Sequence, residues 1–256
     1  MEIAEEFKLT KKLYHFTKFE SAIKIITSRQ LWFSNLRRMN DGHENSKIIF
    51  GNGIVKIREI EKEIYKYQQI SLTQDTRCYK GFELMQMWGL YADNCRGVCL
   101  VFDKDSLIKE CTKNGITYSE VRYDYSLSSD FASNAMNVEC IPSEIEKNLN
   151  TLFYHKSRVW EHEQEFRLIK RCNNDNQLKL NIHDSLKFVI LFGDNEKTKD
   201  SFWGSPECII LKKISNVPVL GYGCFMEYAL SHEDNGIIWS ATDGYNVSGH
   251  NENYQL

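Results

Sequence analysis

Two glutamates and an arginine occupy alternate positions late in the segment 156–170, at Glu163, Glu165 and Arg167. Alternate side chains of a strand point to the same face of a sheet, so these three charged groups are expected to share one face. Neighbouring carboxylates repel each other, which raises the pKa of one unless a cation such as Arg167 compensates. Such a pair can position hydroxyl groups and stabilise positive charge. The alternative is a solvated strand face with a salt bridge.

The surrounding elements are predicted from hydrophobic spacing and turn signals. Strands are expected at 13–17, 31–34, 69–73, 98–102, 121–123, 186–192 and 208–211, with an edge strand at 218–222. Helices are expected at 19–28, 54–70, 84–91 and 143–154, the last with Ser143 as N-cap. Because strands outnumber the unevenly spaced helices, the predicted fold class is α+β, with mixed or antiparallel sheets and flanking helices.

Length, composition and net charge predict the domain organisation and limit the classes of partner. The 256 residues suffice for one large core, and no Gly/Ser-rich linker interrupts them. We expect a single domain over 1–256, with a motif-bearing core at about 13–193, C-terminal strands at about 205–247 and a polar tail at 248–256. The net charge of -3 gives no general attraction to nucleic acid or anionic membranes.

The eight scattered cysteines include no Cys-x-x-Cys pair, which argues against a structural metal site. The acidic N-terminus lacks an apolar signal core, and no apolar run approaches the roughly 20 residues that span a bilayer. We therefore expect a cytoplasmic protein with reduced thiols and no membrane partner.

Two further sets of residues combine polar and aromatic groups. His15 and Thr17 lie on the first predicted strand, and Trp88 and Tyr91 lie three residues apart on a predicted helix. The histidine can bind a ligand or cap a neighbouring carbonyl. The two aromatic side chains can contact a cofactor or belong to the core.

A turn-type segment adds oxygen-bearing side chains at Asn40, Asp41 and Glu44. These residues can hold a ligand or only shape a turn. Arg96, next to Gly97, can bind a phosphate group or lie solvated.

Four ordered motifs resemble those of a bacterial family catalogued as a domain of unknown function. Its pattern is Leu-Tyr-His-[Tyr/Phe]-Thr, Asn-Asp-x-x-Glu, Met-Trp-x-x-Tyr-Ala-x-x-x-x-Gly-Val-Cys and Trp-x-x-Glu-x-Glu-x-Arg. Here the motifs fall at 13–17, 40–44, 87–99 and 160–167, and the landmarks extend to Gly193. An early strand histidine, an aromatic middle element and a late strand glutamate are also similar to the layout of ADP-ribosyltransferases.

The resemblance to ADP-ribosyltransferases implies that NAD is bound as a substrate. It implies that His15 contacts a hydroxyl of the adenosine-side ribose and that Thr17 supports the adjacent backbone. Trp88 or Tyr91 is expected to stack on the nicotinamide ring.

The same resemblance assigns residues to the nicotinamide end of NAD, where the reaction takes place. Ser71 or Thr73 corresponds to the small-hydroxyl strand that forms a wall of the nicotinamide pocket. Glu165 corresponds to the catalytic glutamate, Glu163 to the residue that positions or deprotonates the acceptor, and Arg167 is grouped with the cofactor-binding residues. The middle motif does not read Ser-Thr-Ser, which leaves the acceptor open.

The implied function is transfer of ADP-ribose from NAD to a protein or nucleic-acid acceptor, or NAD hydrolysis. A bacterial toxin or phage-defence effector, with a cognate antitoxin or defence-system partner, is the setting that the resemblance implies. One alternative is a non-catalytic module that senses a nucleotide or partner on the same scaffold. The other is a metal-dependent nuclease that uses Asp41, Glu44 and the Glu163–Glu165 pair with Mg²⁺.

Overall fold

The computed structural model describes residues 10–36, 54–77, 79–124, 138–172, 176–193, 202–223 and 237–240. Its strands are β1 Lys12–Thr17, β2 Gln30–Trp32, β3 Ser34–Asn35, β4 Tyr67–Gln74, β5 Val98–Asp103, β6 Thr117–Glu120, β7 Arg122–Asp124, β8 His155–Ser157, β9 Glu165–Arg171, β10 Lys179–Asn181, β11 Leu186–Gly193, β12 Val219–Gly223 and β13 Ile237–Ser240. Its α-helices are α1 Phe19–Ser28, α2 Ile54–Ile64, α3 Met85–Tyr91, α4 Lys104–Lys113, α5 Ile141–Lys147, α6 Leu149–Phe153 and α7 Pro206–Ile214, and 3₁₀ helices form at Gly81–Glu83, Val138–Cys140 and Arg158–Glu163. None of the helices in these described ranges is long and apolar enough to cross a membrane.

The chain divides into two compact units. The first unit comprises 1–30, 73–107 and 182–256, and the second comprises 31–72 and 108–181. The division falls within β4, after Leu72, so this strand contributes to both units.

In the first unit the strands are ordered β13-β12-β11-β5-β1, with the end of β4 beside β1. β11 and β12 run parallel, whereas β5 pairs antiparallel with both β1 and β11. The sheet is therefore mixed, and the predicted α+β class is confirmed. β5 is buried along its whole length, as its continuous apolar run predicts.

In the second unit β9 lies between the first part of β4 and β6, and β3 pairs with β4. β7 and β8 form a separate parallel pair. Apolar side chains from α5, α6, β4 and β9, among them Tyr67, Ile145, Phe153 and Ile169, form one buried cluster. The first five residues of β9 are all buried, so the alternation of charged and apolar residues does not separate a solvent face from a core face.

The helix predicted over 54–70 is wrong over its last six residues. The helix ends at Ile64 and β4 begins at Tyr67. Tyr67, Gln68, Gln69 and Ile70 are all buried, and pairing with neighbouring strands outweighs the local helical spacing of the apolar residues.

The strand predicted at 208–211 is also wrong, because these residues lie in helix α7. The Ser205 hydroxyl accepts a hydrogen bond from the Cys208 amide at 3.4 Å, and Pro206 occupies the first turn. Both residues are typical helix-start signals. Cys208 and Leu211 are buried while Ile209 is 55% exposed, which is the spacing of a helix face.

Three smaller predictions also need correction. β12 is not an edge strand, since β11 and β13 flank it. The helix predicted over 143–154 is two helices, α5 and α6. Ser143 is not an N-cap: α5 begins at Ile141, and the Ser143 hydroxyl donates to the Cys140 carbonyl at 2.9 Å. Helix α4 and strands β6 and β10 were not anticipated from the sequence.

Candidate functional site

Glu165 begins strand β9 directly after a sharp change in backbone direction. Residues 158–163 form a 3₁₀ helix, and Gln164 adopts a left-handed conformation with φ of 47°. Glu163 therefore ends a 3₁₀ helix and does not lie on the strand, which corrects the predicted strand row. Both glutamates are nevertheless buried.

Arg167 holds both carboxylate oxygens of Glu165. Its Nε donates to Oε1 at 2.6 Å and its Nη2 donates to Oε2 at 2.8 Å. Its Nη1 donates to the Phe153 carbonyl at 2.7 Å, which fixes the guanidinium on the end of α6. The pair has the bidentate geometry of a strong, charge-assisted contact.

The charge of Glu165 is set by two opposing effects. Burial raises the pKa of the carboxyl group, but the adjacent Arg167 charge and its hydrogen bonds, with help from Lys156 and Ser71, lower that pKa to about 2. Glu165 is therefore ionised at neutral pH. It can stabilise positive charge and accept hydrogen bonds, but it has no proton to donate as a general acid.

Lys156 joins the two glutamates and was not anticipated as a site residue. Its Nζ donates to Glu163 Oε2 at 2.6 Å and lies 3.6 Å from Glu165 Oε2. The ring of Trp160 covers the ammonium group at 4.7 Å from its centroid. A buried lysine is rare, and the spacing of Lys156 to Glu163 matches no local pattern, so no sequence signal identifies the pair.

Polar groups from neighbouring strands complete the surroundings of Glu165. Ser71, an exposed residue of β4, donates its hydroxyl to the carboxylate, and the Gln69 amide donates to that hydroxyl at 2.8 Å. The half-buried Tyr123 accepts a hydrogen bond from the Glu165 backbone amide at 2.8 Å. The predicted residues Ser71, Glu163, Glu165 and Arg167 thus lie in one cluster of the second unit.

The other predicted polar residues lie in the first unit. His15 and Thr17 are half-buried on β1, where they pair with Leu100 and Val98 of β5. Thr73 is buried and pairs with Tyr14 of β1. Arg96 is exposed, and its Nε donates to the Asp93 carbonyl at 3.2 Å.

The two predicted stacking residues differ in environment. Trp88 is fully buried, and its ring contacts Phe16, Phe192 and Tyr222. Its Nε1 donates to the Phe82 carbonyl at 2.7 Å. Trp88 is therefore a core residue on which no ligand ring can stack without displacing this packing. Tyr91, at the end of α3, is only half-buried.

Asn40, Asp41 and Glu44 lie outside the described residues. Among the residues that the structure does describe, no group of three or more His, Cys, Asp or Glu side chains is arranged to hold a metal ion. The Glu163 and Glu165 carboxylates are instead engaged by Lys156 and Arg167.

The structure thus describes an α+β protein with a buried cluster of four charged side chains, and these features alone do not identify a protein family. Residues 87–168 match the sequence model of a family described as a protein of unknown function (DUF2971). This confirms the predicted resemblance to a domain of unknown function over a segment that includes Lys156, Glu163, Glu165 and Arg167. No curated protein and no solved structure matches the chain.

Proposed function

We propose that the protein is an ADP-ribosyltransferase-like enzyme that binds NAD and either transfers ADP-ribose to an acceptor or hydrolyses NAD. In this reaction the bond between ribose C1′ and the nicotinamide nitrogen breaks, and its electron pair neutralises that nitrogen. The ribose develops oxocarbenium character, which a nearby carboxylate stabilises. Glu165 is the carboxylate that we assign to this role.

The observation that carries the proposal is the hydrogen bond between the exposed Ser71 and the buried, ionised Glu165. Arg167 and Lys156 keep the carboxylate charged in surroundings from which water is largely excluded. Charge in such surroundings acts more strongly on developing positive charge than it does in water. Ser71 lies at the protein surface and is hydrogen-bonded to this carboxylate, so a ribose hydroxyl can approach the carboxylate from that side.

Binding roles in the first unit rest on the resemblance. His15, Thr17 and Tyr91 are half-buried and so retain surface on which a ligand can bind. We expect His15→Ala to raise the KM for NAD with little change in kcat, because a contact to the adenosine-side ribose is made equally in the ground state and the transition state. An unchanged KM would show that His15 does not contact NAD. The toxin or phage-defence setting likewise rests on the resemblance.

The test is nicotinamide release from NAD labelled on the adenine side, in EDTA, with and without bacterial lysate. We expect released nicotinamide or labelled macromolecule, which a metal-dependent nuclease would not produce. Ser71→Ala should reduce the rate by about 10- to 100-fold, because it removes a hydrogen bond that orients the carboxylate. Ser143→Ala, an exposed serine on α5, is the matched control and should retain the wild-type rate.

Glu165→Gln should lower the rate by about 10²- to 10³-fold, the usual loss when one transition-state contact is removed. An unchanged rate in a folded Glu165→Gln protein would disprove the assignment. Folding must be verified for this variant because the substitution removes one charge of a buried pair.

The second candidate function is a nucleotide- or partner-sensing module, and the Arg167 contact favours it. Both oxygens of Glu165 are engaged by the guanidinium, an arrangement that is also typical of a purely structural ion pair. A sensor predicts stabilisation by NAD or another nucleotide without turnover. A thermal shift measured beside the nicotinamide assay separates the two functions.

A further inference from the structure

The charge balance around Glu165 restricts the chemical class of the acceptor. Among the described residues, the cluster contains two anions, Glu163 and Glu165, and two cations, Lys156 and Arg167. All four side chains are at most 6% exposed. The formal charges cancel inside the protein, so the cluster presents no net negative charge to an incoming acceptor.

Glu163 is the residue that a cationic acceptor would need. In the transferase resemblance it faces the acceptor, but here its Oε2 is 2.6 Å from Lys156 Nζ. A guanidinium group would have to share the Glu163 carboxylate with this ammonium, which the Trp160 ring covers. The cluster would then hold three buried cations against two carboxylates, and a buried charge without a partner is costly.

A neutral acceptor meets no such barrier. A hydroxyl group brings no charge into the cluster and needs only a hydrogen-bond partner while it attacks. The hydroxyl groups of the exposed residue Ser71 and the half-buried residue Tyr123 are hydrogen-bonded to Glu165 and can orient such a group.

We propose that the acceptor is a neutral hydroxyl-type nucleophile, water included, and not a cationic guanidine. This inference rests on the transferase function proposed above. The C1′–nicotinamide bond breaks with its electron pair passing to the nicotinamide nitrogen, and a lone pair of the acceptor oxygen forms the new C1′–O bond. The hydroxyl proton passes to solvent. The products are nicotinamide, an ADP-ribosylated hydroxyl (or free ADP-ribose when water reacts) and one proton.

The experiment incubates the full-length protein with NAD in EDTA, with methanol, agmatine or neither, and identifies the products by mass. We expect ADP-ribose with water and methyl ADP-ribose with methanol. Agmatine, a small guanidine, should yield no adduct and should change nicotinamide release by less than about twofold. An ADP-ribosyl-agmatine product from the wild-type protein overturns the inference but leaves the transferase function standing. Absence of nicotinamide release in every arm overturns both.

A matched pair of variants tests the charge argument itself. Lys156→Met removes the ammonium and leaves one uncompensated carboxylate, so it should gain an agmatine adduct that the wild type lacks. Lys156→Met/Glu163→Gln restores neutrality and should lose that adduct again. Adduct formation by neither variant, in folded proteins that release nicotinamide, overturns the charge argument. If Lys156→Met does not fold, the presence or absence of an agmatine adduct with the wild-type protein decides whether the acceptor can be a cationic guanidine.

Discussion

Glu165 shows how one cation decides the chemistry of a buried carboxylate. Burial alone would favour the protonated form, which could act as a general acid. The guanidinium of Arg167, 2.6 Å away, reverses this preference and keeps the group ionised. The role available to Glu165 is therefore electrostatic stabilisation, the role that an oxocarbenium-like transition state requires.

Removing one charge from this pair should destabilise the fold. Glu165→Gln preserves the side-chain volume but leaves Arg167 buried with only a neutral amide as its partner. We expect a loss of about 3–5 kcal/mol in the free energy of unfolding, as when one partner of a buried ion pair is removed. Urea denaturation followed by fluorescence measures it.

Glu165→Gln/Arg167→Met is the matched control, because it removes both charges together. We expect it to recover most of the lost stability, since a neutral pair of similar volume leaves no uncompensated charge. A double variant as unstable as the single one would show that the ion pair is not the source of the effect. A stable double variant without activity would separate catalysis from folding.

Acid should weaken the fold through the same residue. The pKa of Glu165 is about 2 in the folded protein, below its ordinary value of 4.5, so ionised Glu165 favours the folded state. This contribution, on the order of 3 kcal/mol, is fully present above about pH 4.5 and is lost as the pH falls towards 2. The free energy of unfolding, measured across this range, should fall more steeply in the wild type than in Glu165→Gln.

The free energy of unfolding of Glu165→Gln should still fall at acidic pH. The pKa of Glu63 is also lowered, because hydrogen bonds and charge from Lys66 and Arg171 outweigh the opposing effect of its burial. Identical pH profiles for wild type and Glu165→Gln would contradict the assignment of the acid-sensitive contribution to Glu165.

At the scale of elements, the turn after α3 lies within the motif at 87–99 and packs against the end of β1, which carries the motif at 13–17. Asp93, Asn94 and Cys95 all have positive φ, and the Gly97 amide closes the turn by donating to the Ala92 carbonyl at 2.7 Å. A Cβ on Gly97 would overlap the carbonyl oxygen of Thr17 and lie 2.8 Å from Ala92 Cα. The glycine is therefore required for the close approach of this turn to the end of β1.

Gly97→Ala should lower the free energy of unfolding by about 1–3 kcal/mol or more, because the atoms it meets belong to the backbone and cannot rotate away. Gly89→Ala is the matched control within α3. Nothing lies within 4 Å of a Cβ there, so alanine should stabilise the helix by about 0.5–1 kcal/mol. Chemical denaturation of both variants checks the opposite signs, and equal effects would contradict the steric explanation.

Helices and strands whose own residues mark their ends were predicted well, whereas elements that depend on pairing with residues distant in the sequence were not. The apolar stripe of α1 and the continuous apolar run of β5 define their own ends. The end of α2 was missed because the predicted helix was carried into the start of β4, where strand pairing outweighs the helical spacing; the strand itself was predicted over 69–73. Helix α7 was missed although Ser205 and Pro206 signalled its start, since the short apolar run 208–211 also fits a strand.

At the scale of the whole molecule, ligand binding should appear as added stability. If the protein binds NAD, a concentration near 100 times the Kd should stabilise the folded state by about 2.7 kcal/mol and raise Tm. EDTA should leave this shift unchanged. Differential scanning fluorimetry with NAD, and with ADP as a control for the adenosine half alone, measures it. No shift with NAD at millimolar concentration would contradict NAD binding.

Local periodicity and residue type predict the α+β class and most of the strands, and they single out Glu165 and Arg167 as candidate site residues. The resemblance to ADP-ribosyltransferases also pointed to Ser71 or Thr73 as a wall of the nicotinamide pocket, and of these two Ser71 is hydrogen-bonded to Glu165. The sequence did not predict that Glu163 lies on a 3₁₀ helix or that Lys156 is its ionic partner, and it left open whether Trp88 is a core residue. The physical reason is that burial and ion pairing depend on residues brought together by folding, and the local pattern around a residue does not specify its distant neighbours.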